Sequence, residues 1–304
     1  VSKSLSKILW KGLNYKKITF IRDGILNYLP FETLYNAESK KYLVEDSNVS
    51  YDYTLPLFLF NSQNNIVVDS NNLIAFAPNY KNKNTATVRS GLSDLQYAKK
   101  EAHLISKLFN GTSFINEQAT KNNFFTTINQ YGFYHFAMHS LVDENNINKS
   151  CLVFSNNEKL YFSELYGMNF PAKLVVLSAC DTGNGFLKSG EGIMSISRAL
   201  THAGVHSTVM SLWQVPDKET SEIMILFYEN LKNGQKKDEA LANAKRTFIA
   251  KNPLKNHPFY WAGFVVNGNT DPIQSSNKWI YIIAIIGIIS IILIVFRKRL
   301  FKFV

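Results

Sequence analysis

Short apolar runs and longer stripes of apolar positions at helical spacing alternate along most of this chain. The runs are Leu73–Ala77 (LIAFA), Phe133–Met138 (FYHFAM), Leu152–Phe154, Leu174–Ser178 (LVVLS) and Ser207–Leu212 (STVMSL). Several are continuously apolar, which predicts strands buried on both faces. Between them, Leu95, Ala98, Ala102, Ile105 and Leu108 share one face at a period of 3.6, as do Ile193, Ile196, Ala199 and Leu200. Asp217 after Pro216 predicts an N-cap. The stripe Ile223, Leu226, Phe227, Leu231 follows and stops before Gly234. A last stripe, Leu241, Ala244, Phe248, Ile249, ends at Pro253. Near the start, Asp23–Gly24 divides ITFIRDGILNYLPF and predicts a β-hairpin. Lys81–Ser93 is polar and reads as a loop. Strands alternating with helices predict an α/β fold, a mostly parallel sheet with helices on both faces. In such sheets chemistry gathers beyond the carboxyl ends of the strands. No internal repeat is visible.

The C-terminus follows a different pattern. Residues 279–296 (WIYIIAIIGIISIILIVF) carry no charge, and at about 1.5 Å per residue they span roughly 27 Å, close to the hydrocarbon thickness of a bilayer. Trp279 and Tyr281 suit one interface, and Arg297, Lys298, Arg299 and Lys302 mark the other. The expected organisation is a globular domain over 1–268, a polar linker over 269–278, a single transmembrane helix over 279–296 and a basic tail over 297–304. The basic tail is expected on the cytoplasmic side and the domain on the opposite side, which requires an upstream signal sequence.

Charge and composition narrow the field. The net charge of +10 is accounted for by Lys3, Lys7, Lys11, Lys16 and Lys17 at one end and by Lys278, Arg297, Lys298, Arg299 and Lys302 at the other. The domain between is near neutral, which argues against a nucleic-acid groove. Hydrophobic residues at 46% and charged residues at 18% of 304 exclude a mainly disordered chain. Two cysteines, Cys151 and Cys180, exclude a disulfide scaffold and a four-cysteine zinc site. The first residue is Val, as expected of a piece of a longer protein.

Two loops stand where a parallel sheet would place chemistry. His139–Ser140 follows FYHFAM, and Ala179–Cys180–Asp181–Thr182–Gly183 follows LVVLS. If their strands are neighbours, an imidazole and a thiol meet at one edge, as thiol catalysis needs. The thiolate is the nucleophile, and the imidazole lowers its pKa and later protonates the leaving amine. A lone cysteine is more often a small buried hydrophobe, and Cys151 at the head of an apolar run fits that description. His135 and His139 are four apart, but FYHFAM is strand-like and no third ligand stands nearby, so His135 reads as a core histidine rather than a metal ligand. Gly183–Asn184–Gly185 after a strand lacks the third glycine of a dinucleotide loop, because Lys188 takes its place. No phosphate-binding GxxxxGK[ST] and no GxSxG elbow occurs.

The blocks LPFETL (29–34), YLVEDSNVSY (42–51), YHFAMHSLVDENNINKSCLVFS (134–155), KLVVLSACDTGNG (173–185), GEGIMSISRALTHAG (190–204), VMSLWQVPDKETSEIMILFYENL (209–231) and HPFYWAGFVVNG (257–268) stand in this order. Together they resemble the CHAT domain, a caspase-like family commonly fused to TPR repeats. The resemblance covers about Asp23 to Gly268. It implies the fold shared by caspases, separases and gingipains, with His139 and Cys180 as the catalytic pair and no cofactor. The backbone N–H groups of Ser140 and Cys180 would be the oxyanion donors. Ser140 stands where the family usually has glycine, which narrows the site and restricts φ. Asp181 and Glu191 could shape a pocket for a basic substrate residue or hold loops. Two functions follow. One is a membrane-anchored cysteine endopeptidase acting on protein substrates under control of an upstream TPR or other sensing region. The other is a catalytically silent, membrane-tethered interaction module.

Overall fold

The computed structural model describes residues 15–22, 24–63, 70–80, 92–143, 146–178 and 190–273. Residues 274–278 of the expected linker, the expected transmembrane helix and the basic tail lie outside them, as do Cys180 and Asp181. Among the described residues no helix is long and apolar enough to cross a membrane.

Eight strands form the central sheet: β1 Lys17–Ile21, β2 Asn48–Asp52, β3 Leu73–Pro78, β4 Thr112–Asn116, β5 Phe133–Phe136, β6 Leu174–Leu177, β7 Ser207–Ser211 and β8 Phe264–Gly268. Their order is β1-β2-β8-β7-β6-β5-β3-β4. Neighbours are parallel except β7 and β8, where Val209 faces Val266 in antiparallel register. The sheet is therefore two parallel blocks of opposite direction joined at one seam. Among the described residues the α-helices of seven or more residues are α1 Leu55–Gln63, α2 Gln96–Leu108, α3 Lys121–Thr127, α4 Gly190–His202, α5 Asp217–Lys232 and α6 Lys237–Lys251. Mixed α/β architecture with a mostly parallel sheet matches the apolar pattern of the chain.

Side chains alternate across the sheet as strand geometry dictates. Ile74 and Phe76 of β3, Tyr134 and Phe136 of β5, and Val175 and Leu177 of β6 point into one core, with Phe124 of α3 and Ile196, Ala199 and Leu200 of α4. Leu73, Ala75, Phe133, Leu174 and Val176 point into the other, with Ala98, Ala102 and Ile105 of α2 and Ile223 and Phe227 of α5. Both faces are covered, which is why these strands read as unbroken apolar runs.

Two local expectations change. The run after Asp23 does not return as a hairpin strand. Gly24–Tyr28 is a 3-10 turn, with the Leu29 N–H on the Leu26 carbonyl at 3.2 Å, and β1 pairs in parallel with β2. Pro30 closes the run without an N–H to give a ladder, and the buried Arg22 guanidinium holds the turn by the Asn27 carbonyl at 3.1 Å. Asp217 is not a cap for α5. It is the first residue of the helix, and its carboxylate accepts the Tyr97 N–H of α2 at 2.8 Å. The stripe of α5 does stop before Gly234, whose φ of +81° ends the helix. Beyond β8 the chain stays on the domain as far as Ile273, with the Thr270 carbonyl accepting from Lys237 N–H at 2.9 Å.

Candidate active site

β5 and β6 lie side by side with Phe136 opposite Leu177. The β5–β6 pairing continues past the strands, the Ser178 N–H bonding the Phe136 carbonyl at 3.0 Å, and on the other side of β5 the Ala137 N–H bonds the Phe76 carbonyl of β3 at 2.9 Å. Both chain segments thus leave at the same edge in matched register. His139 stands three residues past Phe136. Cys180, three past Leu177, lies outside the described residues, as do Asp181 and the side chain of Glu191. Ser178 is the last described residue before the thiol, and it is anchored beside the histidine strand.

His139 is 1% exposed. Its Nε2 lies 2.7 Å from the Ser93 carbonyl. A carbonyl only accepts, so Nε2 carries the proton, and in the neutral ring Nδ1 carries the lone pair. The main chain of His139 is held on both sides. Its carbonyl accepts the Val153 N–H at 3.0 Å, and its N–H donates to the Tyr80 hydroxyl at 3.0 Å. Burial pushes the Tyr80 hydroxyl pKa well up, so it stays protonated. Asp217 completes the surroundings. Burial raises its carboxyl pKa, while the Tyr97 N–H and the nearby His139 imidazole oppose the rise.

Ser140 begins a two-residue strand that pairs antiparallel with Cys151–Val153, Ser140 facing Leu152 and Leu141 facing Cys151. Because His139 and Val153 are the bonded pair, Ser140 and Leu152 are the non-bonded pair, and the Ser140 N–H points away from this ladder. Cys151 is buried in the same small sheet, where burial raises its thiol pKa.

His135 sits in the core below. Its Nε2 lies 2.7 Å from Glu101 Oε1 of α2 and 3.3 Å from Ser178 Oγ, and its Nδ1 lies 3.1 Å from the Tyr228 hydroxyl of α5. Serine and glutamate meet the same ring nitrogen, so this is no nucleophile–base–carboxylate relay. Among the described residues no cluster of three His, Cys, Asp or Glu could hold a metal ion.

Sequence reasoning reached His139, Cys180 and Ser140 but not Tyr80, Ser93 or Asp217. Ser93 acts through its carbonyl, which every residue type carries. Tyr80 lies 59 positions from His139, and only the adjacency of β3 and β5 brings them together.

A family model for the CHAT domain matches residues 1–269. Tetratricopeptide repeat protein 28 of Homo sapiens is 24% identical over 309 residues, covering 88% of this chain and 12% of the relative. The chain thus spans about an eighth of the length of the curated relatives that it matches. The Saccharomyces cerevisiae separase–securin complex gives a TM-score of 0.52 at 11% identity, covering 80% of this chain and 15% of that one. The complex of Porphyromonas gingivalis RgpB pro- and mature domains gives 0.51 at 11% identity, covering 76% of this chain and 57% of that one. These likenesses establish the caspase-like fold.

Proposed function

Since the chain belongs to the CHAT domain family, we propose that it is a regulated cysteine endopeptidase in which Cys180 is the nucleophile and His139 its acid–base partner. The observation that carries this reading is the matched exit of β5 and β6 with His139 Nε2 fixed on the Ser93 carbonyl. That tautomer makes Nδ1 the proton acceptor. The Cys180 thiol gives its proton to Nδ1, and the thiolate attacks the carbonyl carbon of the scissile peptide bond. The oxyanion takes the N–H groups of Ser140 and Cys180. The imidazolium then protonates the leaving amine, and water hydrolyses the thioester.

In the same reading residues 279–296 anchor the chain in a membrane with the tail cytoplasmic. The support is their uncharged length and their flanks. TPR repeats upstream of Val1 would act as the sensing region, an assignment supported by the tetratricopeptide repeat relative.

The test is a peptide-library cleavage profile of the full-length protein against Cys180→Ala. Cleavage is expected from the unaltered protein alone. Loss of either Cys180 or His139 should cost orders of magnitude in turnover, and the double variant should be little worse, because the two act as one unit. A folded protein whose Cys180 takes up no thiol probe and which cleaves nothing would leave the silent interaction module as the function. Labelling intact cells with a membrane-impermeant thiol reagent tests the orientation, and protection of the domain until lysis would reverse it.

A further inference from the structure

A bonded pair in an antiparallel ladder exchanges two N–H···O=C bonds. His139 and Val153 keep only one of them, from the Val153 N–H to the His139 carbonyl at 3.0 Å. The second is replaced by a relay. The His139 N–H donates to the Tyr80 hydroxyl at 3.0 Å, and that hydroxyl donates to the Val153 carbonyl at 2.8 Å. The Tyr80 ring lies against the imidazole, centroid to centroid 4.5 Å, at an interplanar angle of 56°. Tyr80 stands two residues past the end of β3, the strand beside β5.

We propose that Tyr80 is a positioning residue for His139, an inference that rests on the peptidase reading. A direct N–H···O=C bond would close to about 2.9 Å. Two hydrogen bonds through one oxygen hold the same groups farther apart and splay the ladder where His139 leaves it. The residue is then fixed three ways: by the relay on its backbone N–H, by the tyrosine ring against its imidazole and by Ser93 on Nε2. Phenylalanine at position 80 would keep the ring contact and lose the relay. The ladder would then close directly, or leave a buried N–H and C=O unmet. Either change moves the imidazole.

The experiment compares Tyr80→Phe with Tyr134→Phe in the full chain. Tyr134 is also buried, its hydroxyl donates to the Thr127 carbonyl at 2.5 Å, and its ring packs on Phe124, Phe136 and Phe170. Tyr80→Phe is expected to lower kcat by about tenfold or more with KM within about twofold, since small misplacements of a reacting group are that costly. It should also displace the NMR resonance of the His139 ring protons. Tyr134→Phe should leave kcat and that resonance as they are. Unaltered kcat and His139 resonance in Tyr80→Phe would overturn the proposal. If Tyr80→Phe does not fold, amide exchange in the unaltered chain decides. A His139 amide protected like that of Val153 supports the relay, and one exchanging like a surface amide overturns it. An unaltered protein that cleaves no peptide would overturn the peptidase reading alone, because resonance and exchange still report on Tyr80.

Discussion

Lys237, the first residue of α6, is buried to 3% exposure with its ammonium on the carbonyl and side-chain oxygen of Asn269, both at 3.2 Å. Burial lowers its pKa from 10.5 to about 8, with Asp271 and Asp238 pulling the other way. A folded-state pKa below the unfolded one means that the unfolded chain holds the proton more tightly between pH 8 and 10.5. Stability from this group should therefore rise with pH across that window. Lys237→Met should flatten the rise and, near pH 7, stabilise by roughly 1–2 kcal/mol. Part of the desolvation gain is lost because Asn269 gives up its donor. Urea denaturation of both proteins from pH 7 to 10 checks it. His135 gives the opposite result. Removing it by His135→Ala leaves the Glu101 carboxyl buried at 1% exposure without its closest partner, which should cost about 3–5 kcal/mol. Any activity lost should track the unfolded fraction.

At the scale of elements, Gly132 shows how tightly β5 enters the sheet. Its N–H and that of Phe133 bond the Asn72 carbonyl, and its own carbonyl accepts from Lys173 and Leu174. A Cβ there would stand 2.0 Å from the Ser70 carbonyl oxygen, whereas one on Gly167 would meet nothing nearer than 3.7 Å. Gly132→Ala should therefore cost about 2–4 kcal/mol by forcing the backbone apart, and Gly167→Ala about 1 kcal/mol at most. Thermal denaturation of the pair tests this. Elements with a strong period were legible in the sequence: the strands buried on both faces, the stripes of α2, α5 and α6, and the stop at Gly234. The Asp23–Gly24 turn misled because its two apolar flanks carry no information about which other strand each will meet, and β1 found β2 instead. Asp217 misled for a related reason. A carboxylate beside a helix start caps that helix only when no other donor competes, and the Tyr97 N–H of α2 does. The site divides the same way. His139 was legible as a titratable side chain at a strand end. Its supports, Ser93 and Tyr80, act through a carbonyl and through a contact between neighbouring strands, and neither leaves a local pattern.

At the scale of the molecule, the antiparallel seam between β7 and β8 separates the block β3–β7, which carries His139, from β8, β2 and β1. The strands nearest both chain exits, β1 and β8, belong to the second block and sit on either side of β2. A pull applied through residues before Tyr15 and after Ile273 thus runs through β1, β2 and β8 in series. β1 and β2 pair along their whole length, as do β8 and β7, whereas β2 meets β8 in register at Tyr51 and Asn267. The β2–β8 joint should part first. Residues 15–72 would then unravel and lengthen the molecule by about 200 Å at the extended-chain reach per residue. In single-molecule stretching this should appear as a first step distinct from full unfolding, and one undivided rupture would contradict it. The histidine strand and its neighbours lie off the line of force, so a tethered molecule under tension would shed its N-terminal strands while the edge holding His139 stayed assembled.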